Sequence, residues 1–476
     1  MRALRPELTW SGRAREWAAV FALVLFSAVA TYHGHGQLLA VALLGFCFLT
    51  LGVIDARLGI MGLLAYSFFN GDIRRLVNSI YGWPAIDPLL LQIPIVVSIF
   101  GLSVLLREKV DTPIARLVLV LMAFMGLEIF NPLQGGLRVG LVGAFFYIPP
   151  LMFFWVGRRY VTPAFIERLL YQLVLPIAMA AAVAGYLQQF IGFAPWEQAW
   201  INHVSASYMA LNVGGYVRPF GFSTSSAGYV TLLSIGAAIA LAGYWLGHRR
   251  AILGLIPLLP ALVLSSERAA IVKFLVAGLA VWALQRGGRK GWYLRIFLAG
   301  FAMVGLLAIV LPHLMPSYSA SGRTGALLAH EVGGLANPLN SKDSTLMLHL
   351  RMLGEGILSG FTHPYGYGLG ATTAAASRFS GNGISTETDF GNMFASLGFV
   401  GGIVYIVIVV RVLWALVSDW QRRRQRASLM ILGILLVTLA SWLIAGQYSI
   451  PLLLWLLIGA TDAMMREGKK HEIAGG

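Results

Sequence analysis

The sequence predicts an all-α polytopic membrane protein of about fourteen transmembrane helices, within a range of 12 to 14, and three observations carry that prediction. Of its 476 residues, 58% are apolar and only 12% are charged, and the mean hydropathy is +0.75. A soluble domain is about half apolar and about a quarter charged, so this much apolar surface needs lipid as its solvent. Apolar runs long enough to cross a hydrocarbon core recur along nearly the whole chain. Basic residues sit in short clusters between those runs, on every second connection, as orientation signals do.

The expected spans fall at 17–32, 37–54, 57–70, 87–106, 113–130, 139–157, 166–192, 226–246, 251–265, 269–285, 293–313, 391–415, 427–446 and 449–464. Arg2, Arg5, Arg13 and Arg15 precede the first run, and no small-residue cleavage site follows it. That run therefore reads as a retained first helix on the cytoplasmic-start side. The third run is short and reads as a full span or as half of a kinked hairpin. From a cytoplasmic start, alternate connections carry Arg57, then Arg107 and Lys109, then Arg158 and Arg159, then Arg249 and Arg250. They continue with Arg286, Arg289 and Lys290, then Arg422 to Arg424 and Arg426, and the tail adds Arg466, Lys469 and Lys470. An even count with both termini cytoplasmic satisfies this alternation.

Three regions follow: a membrane part at 1–313, an outer loop at 314–390 and a C-terminal membrane part with its tail at 391–476. Within the loop, Ser344–Ile357 has apolar residues at helical spacing and predicts an amphipathic helix lying against a membrane surface. HPYGYGLG at 363–370 reads as an ordered turn, and the Ser/Gly/Thr-rich 371–386 as a mobile loop. The net charge of +15 belongs to the connections, which points away from nucleic acid. The single cysteine, Cys47, lies in an apolar run and excludes a disulfide framework or a thiolate metal cluster. Neither GxGxxG nor GxxxxGK[ST] occurs, which disfavours a nucleotide-driven pump.

Charges beside spans on the face opposite the basic anchors are expensive and therefore informative. Arg218 lies in VRPFGFSTSSAGY before a span, Arg268 in LSSERAAIVKF between two spans, and Arg351 on the amphipathic segment. Arginine stays charged and its planar fork donates two parallel hydrogen bonds, so arginines converging from separate loops suit a diphosphate. Snorkelling, or pairing with an acid such as Glu267 beside Arg268, is the plainer alternative for each. Glu387 and Asp389, in STETDFGNMFASLGFVGG, are candidates for a general base, whereas Thr386, Thr388 or Asp389 as a helix N-cap is the competing reading. His330, His349 and His363 share the long loop without metal-ligand spacing, so no metal site is expected, and His349 falls on a different helical face from Arg351. Tyr208, Tyr216, Phe220, Phe222, Tyr365 and Tyr367 are candidate platforms for sugar rings or members of an interfacial aromatic belt.

Taken in order, these pieces form a pattern. An R-P-x-G-x-F-like stretch precedes a span, and S-x-R-A-A stands at the mouth of the next hairpin. A long loop then carries R-x-x-x-x-x-x-G and H-P-x-G-x-G-x-G and closes with E-x-D-F-x-N-x-x-x-x-x-G-x-x-G. Over about 210–405 the chain resembles the O-antigen ligase/Wzy-type polymerase superfamily of bacterial membrane glycosyltransferases. The resemblance implies a GT-C-like fold with one large periplasmic loop, no metal and no cofactor. It also implies an inverting transfer of glycan from an undecaprenyl-diphosphate-linked oligosaccharide at the periplasmic face of the inner membrane. By that analogy Arg218 and Arg268 hold the donor diphosphate and Arg351 helps position either substrate. Glu387 and Asp389 remain the catalytic candidates, and Tyr216, His363 and Tyr365 the candidate glycan contacts, with a structural role in its turn as the alternative for His363. Ligases of this family have a histidine about eleven residues before the re-entry glycine. Counting back from Gly398 gives Glu387 here, which favours the polymerase branch. The implied partners are membrane lipid and the flippase and chain-length regulator of the same pathway, with no nucleic acid. The alternatives are a ligase that uses lipid A core as acceptor and a transporter or lipid-linked-sugar flippase.

Overall fold

The computed structural model describes residues 36–84, 87–204, 211–213, 215–286, 295, 298–300, 302–303, 306, 310, 325, 327, 346–380, 383–384, 386, 388–444 and 449–475. Fifteen helices are followed here. They are α1 (Gly36–Ile54), α2 (Ala56–Tyr81), α3 (Pro88–Leu105), α4 (Pro113–Glu128), α5 (Leu137–Tyr160) and α6 (Pro163–Phe190). Next come α7 (Pro195–Val204), α8 (Ser226–Trp245), α9 (Leu255–Leu264) and α10 (Arg268–Gln285). The remainder are α11 (Leu346–Thr362), α12 (Ala374–Phe379), α13 (Asp389–Arg423), α14 (Arg426–Val437) and α15 (Ser449–Gly475). The sequence announces many of their starts. Asp55, Asp87, Thr112, Thr162, Ser225, Thr373 and Thr388 each accept a backbone amide of the following first turn.

Eight of these helices, α1, α3, α5, α6, α8, α10, α13 and α15, are long and apolar enough to cross a membrane. The chain is therefore all-α with the make-up of a multi-pass membrane protein. The expected span 17–32 lies outside the described residues, and so does most of 293–313. The other four expected spans are helices that fall short of that measure. α4, α9 and α14 are 16, 10 and 12 residues long, and α2 is too polar.

Two elements depart from expectation. The third run does not stop at residue 70 but continues to Tyr81, because the polar residues that seemed to end it have partners. Arg74 pairs with Asp87 at 2.8 Å, and Asn78 donates to the same carboxylate at 2.8 Å. α6 contains a π-helical turn at Leu170–Val174, just before Pro176. Proline has no N–H to continue the ladder, and a wide turn is one way a helix absorbs that.

Among the described residues the core is one large cluster running through the helix bundle with two smaller clusters beside it. α5 lies against both α3 and α15, α8 packs on α6, α10 and α14, and α11 runs along α13. One end of the bundle is closed by charge. Arg158, whose side chain is fully buried, pairs with Asp462 at 3.1 Å and with Asp111. Arg466 meets Asp111 at 2.8 Å, and Arg159 meets Glu108 at 2.9 Å. Buried charges are tolerated only when paired, and here each cation has its acid. Elsewhere Asn131 donates to the Gly366 carbonyl at 3.1 Å, which joins the connection 129–136 to the segment 363–370.

Candidate functional site

Arg218 owes its position to two buried polar side chains beneath it. Arg75 of α2, 2% exposed, donates to the Ser223 carbonyl at 2.7 Å and the Gly221 carbonyl at 3.1 Å. Its guanidinium lies 4.5 Å from the centre of the Phe220 ring. Gln188 of α6 accepts the Phe220 and Gly221 amides at 2.9 and 2.8 Å. The segment is pressed so closely onto α2 that a Cβ at Gly71 would sit 2.3 Å from the Ser223 carbonyl. Held in this way, Arg218 donates from its guanidinium to the Ser266 carbonyl in the turn between α9 and α10. Two motifs about 50 residues apart thus meet through one hydrogen bond.

The turn itself is built to present charge. Ser265 and Ser266 are buried, Ser266 has a left-handed φ of 59°, and Arg268 opens α10. Burial pushes the Glu267 carboxyl above its ordinary range, while Arg218, Lys273 and His349 each pull it back. Those four groups share one neighbourhood. The groups acting on Glu267 thus come from three separate segments of the chain. His349 approaches Glu267 from α11, a tertiary fact with no local signature.

Arg351 stands apart. Its side chain is 77% exposed and its Nε donates to Glu355 at 2.7 Å one turn on. An exposed i,i+4 pair contributes little, so a phosphate would displace Glu355 readily. Glu387 lies outside the described residues. Asp389 is fully buried, and its Oδ2 accepts from the Tyr405 hydroxyl at 2.8 Å and the Leu443 amide at 2.9 Å. Its own amide donates to the Ala440 carbonyl at 3.0 Å. Asp389 ties α13 to the break after α14, and as placed it is enclosed rather than within reach of a sugar hydroxyl. The N-cap at this helix is Thr388, which accepts the Gly391 amide at 3.2 Å.

The glycine motif of the long loop docks on that same helix. Residues 363–370 run against α13 where Gly398 breaks it, with φ 70° and ψ −168°. Tyr367 and Gly368 donate their amides to the Ala395 and Ser396 carbonyls at 2.8 and 3.1 Å, and the Phe399 amide returns a bond to the Pro364 carbonyl at 3.1 Å. A Cβ at Gly398 would lie 1.9 Å from the Pro364 oxygen, and one at Gly366, whose φ is 79°, would lie 2.5 Å from the Ser396 oxygen. The two motifs are therefore halves of one joint. The predicted mobile stretch after it is partly ordered instead. Thr373 caps α12, whose Ala375 and Ala376 pack on Val139.

The aromatic candidates divide. Phe220 and Phe222 are core residues. Tyr216, in a two-stranded ribbon paired with Val213, is 38% exposed, and Tyr365 is 86% exposed. His363 is exposed and shares a hydrogen bond of 2.7 Å with the Tyr367 hydroxyl. These three remain open to a ligand, whereas Tyr208 lies outside the described residues. The amphipathic helix expected at 344–357 is α11, with Leu346, Leu348 and Leu350 exposed.

Compared with family models and with curated proteins, the chain matches none. The site is therefore read from its own chemistry: Arg218 from the loop before α8, Lys273 of α10 and His349 of α11 around the buried Glu267 carboxyl in the turn before α10.

Glu267 gives the site a pH signature. A carboxyl raised by burial favours its neutral form in the fold. Its contribution to stability is full below its ordinary value of 4.5 and is lost as pH rises through its raised folded value. The melting temperature of the purified chain is expected to fall across that interval, and Glu267→Gln is expected to flatten the fall. An unchanged slope in Glu267→Gln would show that the carboxyl is already neutralised by its three cations.

Proposed function

We propose that this protein is a bacterial inner-membrane glycosyltransferase that polymerises surface-polysaccharide repeat units. It transfers a glycan from undecaprenyl diphosphate to another lipid-linked repeat unit at the periplasmic face. The observation that carries the reading is the Arg218–Ser266 hydrogen bond, which sets Arg218 beside the turn holding Glu267 and Arg268. A diphosphate leaving group develops charge as its bond to the sugar breaks, and fixed arginine donors stabilise that charge without reorganising.

In this reaction a hydroxyl oxygen of the acceptor attacks the anomeric carbon, and the carbon–oxygen bond to the diphosphate breaks. The hydroxyl proton passes to a base and the lipid diphosphate departs. Arg218 and Arg268 hold the diphosphate, and Glu387 is the proposed base. Arg351 releases Glu355 to meet one of the substrates. The pinned turn at Ser265 and Ser266 keeps the donors at fixed spacing, which is where the rate advantage of such a site arises. The fourteen-span, inside–inside topology belongs to the same proposal, because it puts these residues on one face of the membrane.

The ligase alternative differs only in acceptor. Deleting the gene and separating lipid-linked intermediates by length distinguishes the two. Single repeat units accumulating with no long chains support the polymerase. Long chains left on undecaprenyl diphosphate support the ligase, and an unchanged polysaccharide profile contradicts both.

A further inference from the structure

The surface at the start of α5 takes no part in the site above. α12 packs Ala375, Ala376 and Phe379 on Val139 and Val142 in the first turns of α5. This brings two arginines to one ring: the guanidinium of Arg138 lies 4.4 Å from the centre of Phe379, and that of Arg378 lies 6.0 Å from it. Both arginines are exposed, and neither forms an ion pair within the described residues. A ring face offsets little of a guanidinium's charge at an exposed site, so the patch keeps two positive charges without a counter-charge among the described residues.

Directly below Arg138 the same helix face turns apolar. Leu141 and Phe145 follow at helical spacing and are 48% and 36% exposed, and Phe145 lies about 10 Å down the axis from Arg138. Phe145 also lines a shallow apolar groove between α3, α5 and α15. Its walls include Pro94, Pro149, Pro150 and Pro451, residues that carry no amide donor. A cationic pair at the top of one helix face and an apolar groove lower on it describe an amphiphile with an anionic head. A soluble anion would have no use for the groove, and a neutral lipid none for the arginines.

We infer that this face of α5 is a binding site for a phosphate-bearing lipid. The phosphate sits between Arg138 and Arg378, and the chain lies along Leu141 and Phe145 over the shallow proline-walled groove. The site is built from α5, α12, α3 and α15, whereas the transferase reading rests on α10, α11 and the segment holding Arg218. Either can stand without the other.

The test uses the full chain purified in neutral maltoside micelles and a hexadecyl phosphate carrying a diazirine in its chain, with the matching hexadecanol as the neutral arm. Irradiation is expected to label the segment of α5 from Leu141 to Pro150, and the alcohol is expected to label it at least ~10-fold less. Replacing both arginines (Arg138→Ala with Arg378→Ala) is expected to lower the phosphate labelling by ~10-fold or more, since two charge-assisted bonds are lost. The pair Arg138→Lys with Arg378→Lys, which keeps the charge, is expected to retain most of it. Labelling of α5 is expected to persist in Arg218→Ala, which keeps this site distinct from the transferase site. Equal labelling by the alcohol, equal labelling of the double alanine variant, or suppression by inorganic phosphate at equimolar concentration would each overturn the inference.

Discussion

Replacing Arg218 with alanine is expected to cut polymer formation by about 10²–10³-fold while leaving the protein in the membrane at its normal level. The loss has two sources. One charged donor to the diphosphate disappears, and the turn before α10 loses the guanidinium that holds the Ser266 carbonyl. Arg218→Lys separates them. It keeps a charge near Glu267 but loses the planar fork, so an intermediate rate is expected. Arg268→Ala is expected to match Arg218→Ala. Arg351→Ala is expected to cost less, about 10-fold or below, because its side chain lies exposed in an i,i+4 pair. A measurement of polymer length and yield per mole of membrane-inserted protein checks all four. Normal yield from Arg268→Ala would remove the diphosphate role.

The second large effect is structural. Gly398→Val forces a β-branched side chain onto a backbone with φ 70° and drives its Cβ toward the Pro364 carbonyl, 1.9 Å away. Strain of this kind costs about 1–3 kcal/mol before any clash, and undocking of residues 363–370 adds to it, so a total on the order of 3–5 kcal/mol is expected. The thermal transition of the purified protein is expected to drop sharply, with new proteolytic cleavage between 363 and 380. Gly354→Ala provides the contrast. A Cβ there meets nothing within 4 Å, and alanine in an exposed helix position is favoured by up to about 1 kcal/mol, so stability is expected to hold or rise. An equal loss in both variants would mean that the joint at Gly398 has no special part in the fold.

These residues also show where the sequence was informative. Helix starts were legible because caps are local: Thr388 and Ser225 lie next to the amides they accept. The apolar runs were legible because a lipid-facing helix has to be continuous. The extension of α2 to Tyr81 was hidden, since Arg74 and Arg75 look like the end of a span until Asp87 and the carbonyls of Gly221 and Ser223 are known as partners. The cradle under Arg218 was hidden for the same reason. A buried arginine 148 residues away in sequence from the carbonyl it meets leaves no spacing to read. The motifs H-P-x-G-x-G-x-G and D-F-x-N-x-x-x-x-x-G were visible as patterns, yet only their contact explains the glycines. Asp389 shows how a tertiary setting adds to a local reading. An acid at a loop boundary reads as reactive, whereas here it fastens Tyr405 and the Leu443 amide inside the bundle.

The central claim is that the site holding Arg218, Glu267 and Arg268 transfers glycan from a lipid diphosphate. The most direct measurement places the purified full chain in liposomes with undecaprenyl-diphosphate-linked repeat units and follows the length of the lipid-linked glycan with time. The predicted result is a ladder of longer chains with release of one undecaprenyl diphosphate per linkage formed, and its absence in Arg268→Ala. Movement of intact repeat units across the bilayer with no new glycosidic bond would contradict the claim and make the protein a transporter.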